Sequence, residues 1–239
     1  MNLSLFGYRI DLVSLDEAVE RVISLGRSSV FKTVTTVNAT MVAEGDEDPW
    51  LSEYMKASSL ILADGAGITL GCFLKYGQRV TKVAGVELVE RLFMQEKASL
   101  FLIGGSPEFI EDTVTMIGTR YPRCRVVGFS DGYLTKSDRE SLCLRVAEAS
   151  PDIILVGMGV PLQERLIAQL GESLAHGVAI GVGGSFDVVF GQLKRAPRWI
   201  VRCHVEWLYR GICQPYRIKK WGQLLRFCGM FLKSYIPRS

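Results

Sequence analysis

The sequence predicts an α/β fold in which a mostly parallel sheet carries helices on both faces and a basic helical appendage follows at the C-terminal end. Three observations predict it. Short, nearly continuous apolar runs rich in β-branched residues alternate with amphipathic segments of helical length, as parallel strands buried on both faces require. Glycine-rich turns recur directly after those runs. Near Gly191 the strand-like runs stop, and residues rich in Trp, Tyr, Arg and Lys take over.

In chain order, the candidate strands are residues 30–37, 60–63, 100–103, 125–127, 153–156 and 178–182. The segments between them at 15–25, 86–95, 107–120, 138–149 and 162–174 have the apolar spacing of helices. Ser106-Pro107 and Ser137-Asp138 supply helix starts, since a serine side chain caps free N–H groups and proline fits the first helical turn. The expected organisation is an α/β domain over residues 1–191 and an appendage over 192–239.

Charge divides at the same place. Residues 192–239 hold eleven bases and one acid, a net +10, whereas the first 191 residues carry −7. A basic tail on an acidic body points to an anionic partner such as membrane phospholipid, a lipid diphosphate or nucleic acid. Within the tail, Trp221, Leu224, Leu225, Cys228, Leu232 and Tyr235 fall on one helical stripe, with Lys219, Lys220, Gln223, Arg226 and Lys233 largely off it. Two readings fit: a helix lying on a membrane surface, or a terminal helix packing its stripe on the sheet domain.

The six cysteines are scattered without a CxxC pair, which suits reduced thiols better than a disulfide framework. No signal-peptide pattern is evident at the start, and no stretch reaches the ~18 apolar residues of a spanning helix. A cytoplasmic protein is expected.

In parallel sheets ligands bind beyond the carboxyl ends of the strands. That edge selects Thr35, Thr36 and Asn38, then Asp64-Gly65-Ala66-Gly67, Gly104-Gly105-Ser106, Gly157-Met158-Gly159 and Gly183-Gly184-Ser185. Glycine turns opening helices present backbone N–H groups suited to a diphosphate. Asp64 follows an apolar strand directly, so it is either the cap of the helix starting near Ala66 or a general base for a sugar hydroxyl. His176 and His204 are the only histidines and are far apart, which disfavours zinc and Ser–His–Asp chemistry. Asp46-Glu47-Asp48 spells DxD, yet it follows a helix-like segment and precedes Pro49, and it reads as a solvated loop. Gly181-x-Gly183-Gly184 starts like a dinucleotide fingerprint but ends in Phe186, so NAD binding has weak support. No nucleic-acid-binding signature accompanies the basic tail.

Five stretches together resemble the WecG/TagA/CpsF glycosyltransferases over almost the whole chain. They are Thr36-Val37-Asn38; Ala63-Asp64-Gly65; Gly157-x-Gly159-x-Pro161-x-Gln163-Glu164; Gly181-Val182-Gly183-Gly184-Ser185-Phe186-Asp187; and Lys194-Arg195-Ala196-Pro197 leading to Glu206-Trp207-Leu208-Tyr209-Arg210 and Pro215-x-Arg217. The resemblance implies a Rossmann-like sheet with a C-terminal helical appendage. It implies inverting transfer of a ManNAc- or uronic-acid-type sugar from a UDP-sugar to a lipid-linked saccharide on undecaprenyl diphosphate, with no metal or other cofactor. Asp64 matches the general base and Thr36 a catalytic-pocket residue. Asn38, Lys82, Gly104, Gly105, Tyr133, Gln163, Glu164, Gly183, Gly184 and Asp187 match the UDP-sugar pocket. Arg195, Arg210, Arg217 and Lys220 match positions that engage the acceptor diphosphate and the anionic membrane surface. Many relatives carry Arg where this chain has Lys82, which keeps the charge but loses the bidentate fork. The implied place of action is the cytoplasmic face of the plasma membrane, held peripherally. A homo-oligomer stays open, as do two other functions, a Rossmann-fold NAD(P) oxidoreductase and a non-catalytic membrane adaptor.

Overall fold

The computed structural model describes residues 1–190 and the C-terminal helix 221–235, with side chains of that helix described over 222–233. An antiparallel hairpin opens the chain, β1 (Asn2–Leu5) and β2 (Tyr8–Asp11). Its turn has Phe6 at φ 51° and Gly7 at φ 82°, the left-handed pair that a two-residue hairpin needs. Each strand is only four residues long and the turn lacks Asn-Gly, so sequence periodicity did not announce this element.

The chain then alternates as expected. In order come α1 (Leu15–Gly26), β3 (Lys32–Val37), α2 (Ala39–Glu47), α3 (Pro49–Ala57), β4 (Leu60–Ala63), α4 (Ala66–Tyr76), α5 (Gly85–Phe93), β5 (Ser99–Gly104) and α6 (Pro107–Arg120). β6 (Arg125–Ser130), α7 (Lys136–Ala149), β7 (Ile153–Gly157), α8 (Leu162–Ser173), β8 (Val178–Gly181) and α9 (Ser185–Val189) follow, and α10 (Trp221–Tyr235) lies in the tail. Six strands form one all-parallel sheet in the order β4-β3-β8-β7-β5-β6. Strands β4, β5 and β8 are buried along their full length, which explains their continuous apolar sequence.

Helices cover both faces. Val22, Leu88, Leu92, Phe93, Ile110 and Phe186 build the core on the side of α1, α5, α6 and α9. Met41, Leu51, Ile68 and Cys72 (from α2, α3 and α4) and Leu142, Val146, Leu166 and Ile167 (from α7 and α8) build the cores on the other side. From β3 the chain goes outward to β4, crosses to β5, goes outward to β6, and then fills the middle with β7 and β8. As a result α6 after β5 and α8 after β7 sit on opposite faces, and the strand ends between them border a crevice.

Three local expectations are corrected. The start of α7 is capped by Thr135, not Ser137, through a capping box with Asp138. Asp46-Glu47-Asp48 is no solvated loop: Asp46 and Glu47 end α2, and Asp48 caps α3 by accepting from the N–H groups of Trp50 and Leu51. Their carboxylates also hold neighbouring helices, Asp48 binding Arg165 at 2.9 Å and Asp46 and Glu47 pairing with Arg226 of α10. Finally, the apolar residues of α10 divide between two faces. Leu224, Phe227, Met230 and Phe231 pack on the α2–α4 core, while Leu225, Cys228 and Leu232 are exposed. Phe6 in the hairpin turn meets Phe227 and Phe231 edge-on at 5.5 and 6.0 Å.

Candidate active site

At the end of β3 the two threonines point to opposite faces, as strand alternation dictates. Thr35 Oγ1 shares a hydrogen bond with Ser58 Oγ at 2.7 Å, whereas Thr36 Oγ1 donates to the Gly181 carbonyl at 3.4 Å. Asp64 N–H donates to the Val37 carbonyl at 2.8 Å, which carries the β3–β4 pairing one residue past the strand. The cap of α4 is Gly65, at φ 88° and with no side-chain cap bond. The Asp64 carboxylate therefore does not cap this helix.

The loop after α4 returns to the same edge, where Val83 N–H donates to the Ala63 carbonyl at 2.9 Å. Helix α5 then starts at Gly85 without a side-chain cap. A methyl group placed on Gly85 would lie 3.4 Å from Ser185 Oγ, 3.8 Å from Thr36 Oγ1 and 4.0 Å from Asp64 Oδ2. Side chains from β3, from the residue after β4 and from α9 thus converge on one point beside the N-terminus of α5. Thr36 and Ser185 are buried there, and Asp64 is half-buried. The sequence puts Ser185 at the ligand edge within Gly183-Gly184-Ser185 but gives it no role, since a serine among glycines carries no local signal of one.

Asn38 borders this cluster as the N-cap of α2, its carbonyl oxygen accepting from Met41 N–H at 3.0 Å and Thr40 Oγ1 at 2.7 Å. Lys82 is half-buried just before Val83.

Gln163 lies at the middle of the edge and is buried. Its Oε1 accepts from Gly159 N–H at 3.1 Å and Gly183 N–H at 3.0 Å, and its Nε2 donates to Glu164 Oε1 at 2.8 Å. One side chain thereby ties the β7–α8 loop to the β8–α9 loop. Gly181 must be glycine for this packing, because a Cβ would stand 2.5 Å from Gln163 Nε2. Glu164 is buried beside Tyr54, whose hydroxyl pKa is pushed up by burial and then by the Glu164 carboxylate.

At the far end Gly104 and Gly105 have φ 145° and 75°. A Cβ on Gly104 would stand 2.5 Å from the Gly157 carbonyl oxygen, so the loops after β5 and β7 touch through bare backbone. Gly132 N–H donates to the Gly105 carbonyl at 2.9 Å and leads to the exposed Tyr133. Gly183, at φ 51°, has no atom within 4 Å of where its Cβ would be, and Gly184 and the half-buried Asp187 follow it at the start of α9.

The structure therefore brings Asp64, Thr36, Asn38, Gly183, Gly159, Gln163, Gly104, Gly105 and Tyr133 along one edge in strand order. Six strands at about 4.8 Å spacing give that track roughly 24 Å of length. Carboxylate and hydroxyl groups stand at one end, suited to proton transfer, and backbone amides of glycine turns at the other, suited to phosphate. The broken dinucleotide fingerprint has a structural cause. Phe186, at the position of the third glycine, is a fully buried core side chain whose ring lies 3.0 Å from where a Gly157 Cβ would be. Among the described residues no group of three or more His, Cys, Asp or Glu side chains is placed to hold a metal ion. Arg195, Arg210, Arg217 and Lys220 lie outside the described residues.

Comparison with known proteins identifies a family and a curated relative. The family model described as glycosyl transferase WecG/TagA/CpsF matches residues 3–239. The chain is also 32% identical over 204 residues to the N-acetylglucosaminyldiphosphoundecaprenol N-acetyl-beta-D-mannosaminyltransferase of Bacillus subtilis (strain 168), covering 84% of this chain and 79% of that protein.

Proposed function

The chain belongs to the WecG/TagA/CpsF family of glycosyltransferases, and from that premise we propose that it transfers an N-acetylmannosamine-type sugar from UDP to a saccharide on a polyprenyl diphosphate. The observation that carries this reading is the convergence of Asp64 Oδ2, Thr36 Oγ1 and Ser185 Oγ beside the start of α5.

The Asp64 carboxylate takes the proton of the acceptor hydroxyl as that oxygen attacks the anomeric carbon. The new C–O bond forms on one face while the bond to UDP breaks on the other, and the electron pair leaves with the diphosphate. Thr36 and Ser185 orient the reacting hydroxyl and the sugar. Amides of the Gly104-Gly105 and Gly183-Gly184 turns receive the diphosphate, Tyr133 and Asp187 contact the uridine end, and Lys82 adds charge near the sugar. Asn38 offers its amide nitrogen to the sugar, since its oxygen is used in capping.

The acceptor's own diphosphate needs cations, and the body is net acidic. Arg195, Arg210, Arg217 and Lys220 supply them, and the same basic segment holds the enzyme on the anionic cytoplasmic face of the membrane. Among the described residues no helix is long and apolar enough to cross a membrane.

The test is a screen of UDP-sugars with a synthetic polyprenyl-diphosphate-GlcNAc acceptor, run on the wild type and Asp64→Ala. Transfer insensitive to EDTA is expected, with kcat about 10²–10⁴-fold lower in the variant. Undiminished turnover by Asp64→Ala removes it as the base.

A further inference from the structure

Helix α4 has two unlike long faces. Gly67 and Gly71, one turn apart, make the seam with α10: a Cβ on Gly67 would lie 3.4 Å from the Phe227 ring, and one on Gly71 3.2 Å from the Phe231 ring. Ile68 and Cys72 point into the core. Leu70 and Leu74, next to the seam on the helical wheel, are 56% and 53% exposed, and Phe73 beyond them is exposed as well. Across the seam, Leu225 and Leu232 of α10 are 75% and 69% exposed. They lie on the flank of α10 away from Arg226, which pairs with α2. Two exposed apolar strips therefore border one helix pair.

The charge beside the α4 strip is basic, whereas Arg226 of α10 is paired with Asp46 and Glu47 of α2. Between Asp64 and Glu87 the chain has no acid and three bases, Lys75, Arg79 and Lys82, in a body that is otherwise acidic. From Trp221 to Tyr235 there is again no acid, with Arg226 and Lys233 as bases. Apolar side chains beside Lys75 and Arg79, with Lys233 at the end of α10, match an anionic lipid surface, where the former enter the headgroup boundary and the latter meet phosphates. Helix α4 also begins one residue after Gly65, so seating its outer face on lipid sets Asp64 at the membrane boundary.

We propose that the outer face of α4, with Leu70, Phe73 and Leu74, is a membrane-docking surface of the folded domain, continuous with the exposed strip of α10 and additional to the basic tail. The proposal rests on the acceptor being lipid-linked, as the preceding section reads it. It explains how a protein without a described spanning helix brings Asp64 to a diphosphate fixed at the bilayer surface.

The experiment is co-sedimentation of the full chain with vesicles mixing a neutral and an anionic phospholipid. Wild type is compared with Leu70→Glu/Leu74→Glu and with Leu144→Glu, a control on the exposed side of α7. The double variant is expected to bind vesicles at least about tenfold more weakly, with the control unchanged. Both variants should turn over a water-soluble, short-chain acceptor analogue at the wild-type rate. Phe73→Ser repeats the comparison if the double variant melts early. Wild-type vesicle affinity in a folded α4 variant overturns the proposal. So does a wild-type dimer, seen by sedimentation velocity, that the variant dissociates while vesicle binding stays the same. No transfer by the wild type to the soluble analogue would instead count against the proposed reaction, leaving the vesicle result to be read alone.

Discussion

Asp64 owes its place at the sheet edge to its neighbour. Because Gly65 takes the cap position at φ 88°, a conformation that costs a side chain strain, the carboxylate is left at the sheet edge and out of α4. Read locally, the sequence favours a cap for Asp64 over a base; the backbone conformation at Gly65 puts the cap one residue later. Gln163 carries a different lesson. Its oxygen already receives two backbone N–H groups, so any role toward the sugar nucleotide passes through its amide nitrogen or through the loops it ties. Gln163→Leu would leave both N–H groups without that acceptor, at about 1–3 kcal/mol for each group that stays dry. Differential scanning fluorimetry should show Tm lower by about 4–8 °C, and steady-state kinetics a raised KM for the donor. A shift in kcat alone, with Tm and KM unchanged, contradicts the tying role.

Among the elements, α10 is the clearest case of sequence pattern meeting a second constraint. The sequence predicts a single stripe where the structure has a packed face and an exposed one, because Leu224, Phe227, Met230 and Phe231 answer to the α2–α4 groove. Periodicity reports that a helix has apolar sides but not which of them meets protein. Phe227→Ala should cost about 3 kcal/mol, visible as early protease cleavage near α10. Cys228 lies on the exposed side, so a maleimide should label it readily, and anionic vesicles should protect it. Cys124 is the contrast, its thiol pushed up to about 11 by burial and thus slow to react at neutral pH. Helix α7 allows a pH test. The Asp138 carboxyl sits below its usual 3.8 through bonds from Thr135, so its contribution is complete above the unfolded value and fades as pH falls through the lower folded one. Thr135→Val, which removes the hydroxyl bond but keeps the backbone N–H bond, should weaken that acid-limb dependence in pH-melting curves while leaving the neutral-pH slope as it was.

The whole molecule joins an acidic body to a basic tail, and binding to anionic vesicles should weaken steeply with added salt, by screening of exposed cations over about 8–10 Å. Charge reversal at Arg210 and Arg217 should lower vesicle binding further, at roughly 1 kcal/mol per residue, measured by co-sedimentation. The α/β class, the six parallel strands within a few residues and the family are all written in the sequence, since each depends on local apolar runs, turn glycines and motif spacing. The N-terminal hairpin is not, because four-residue strands give too few alternations to detect. The meeting of Thr36, Asp64 and Ser185 is not either: 121 residues separate Asp64 from Ser185, and only the strand order places β8 beside β3. Local composition settles which segments become strands and helices, because propensity and burial pattern act over a few residues. Which strand ends share an edge, and which apolar strips stay uncovered, follows from nonlocal pairing and helix docking, and that was decided only by the tertiary structure.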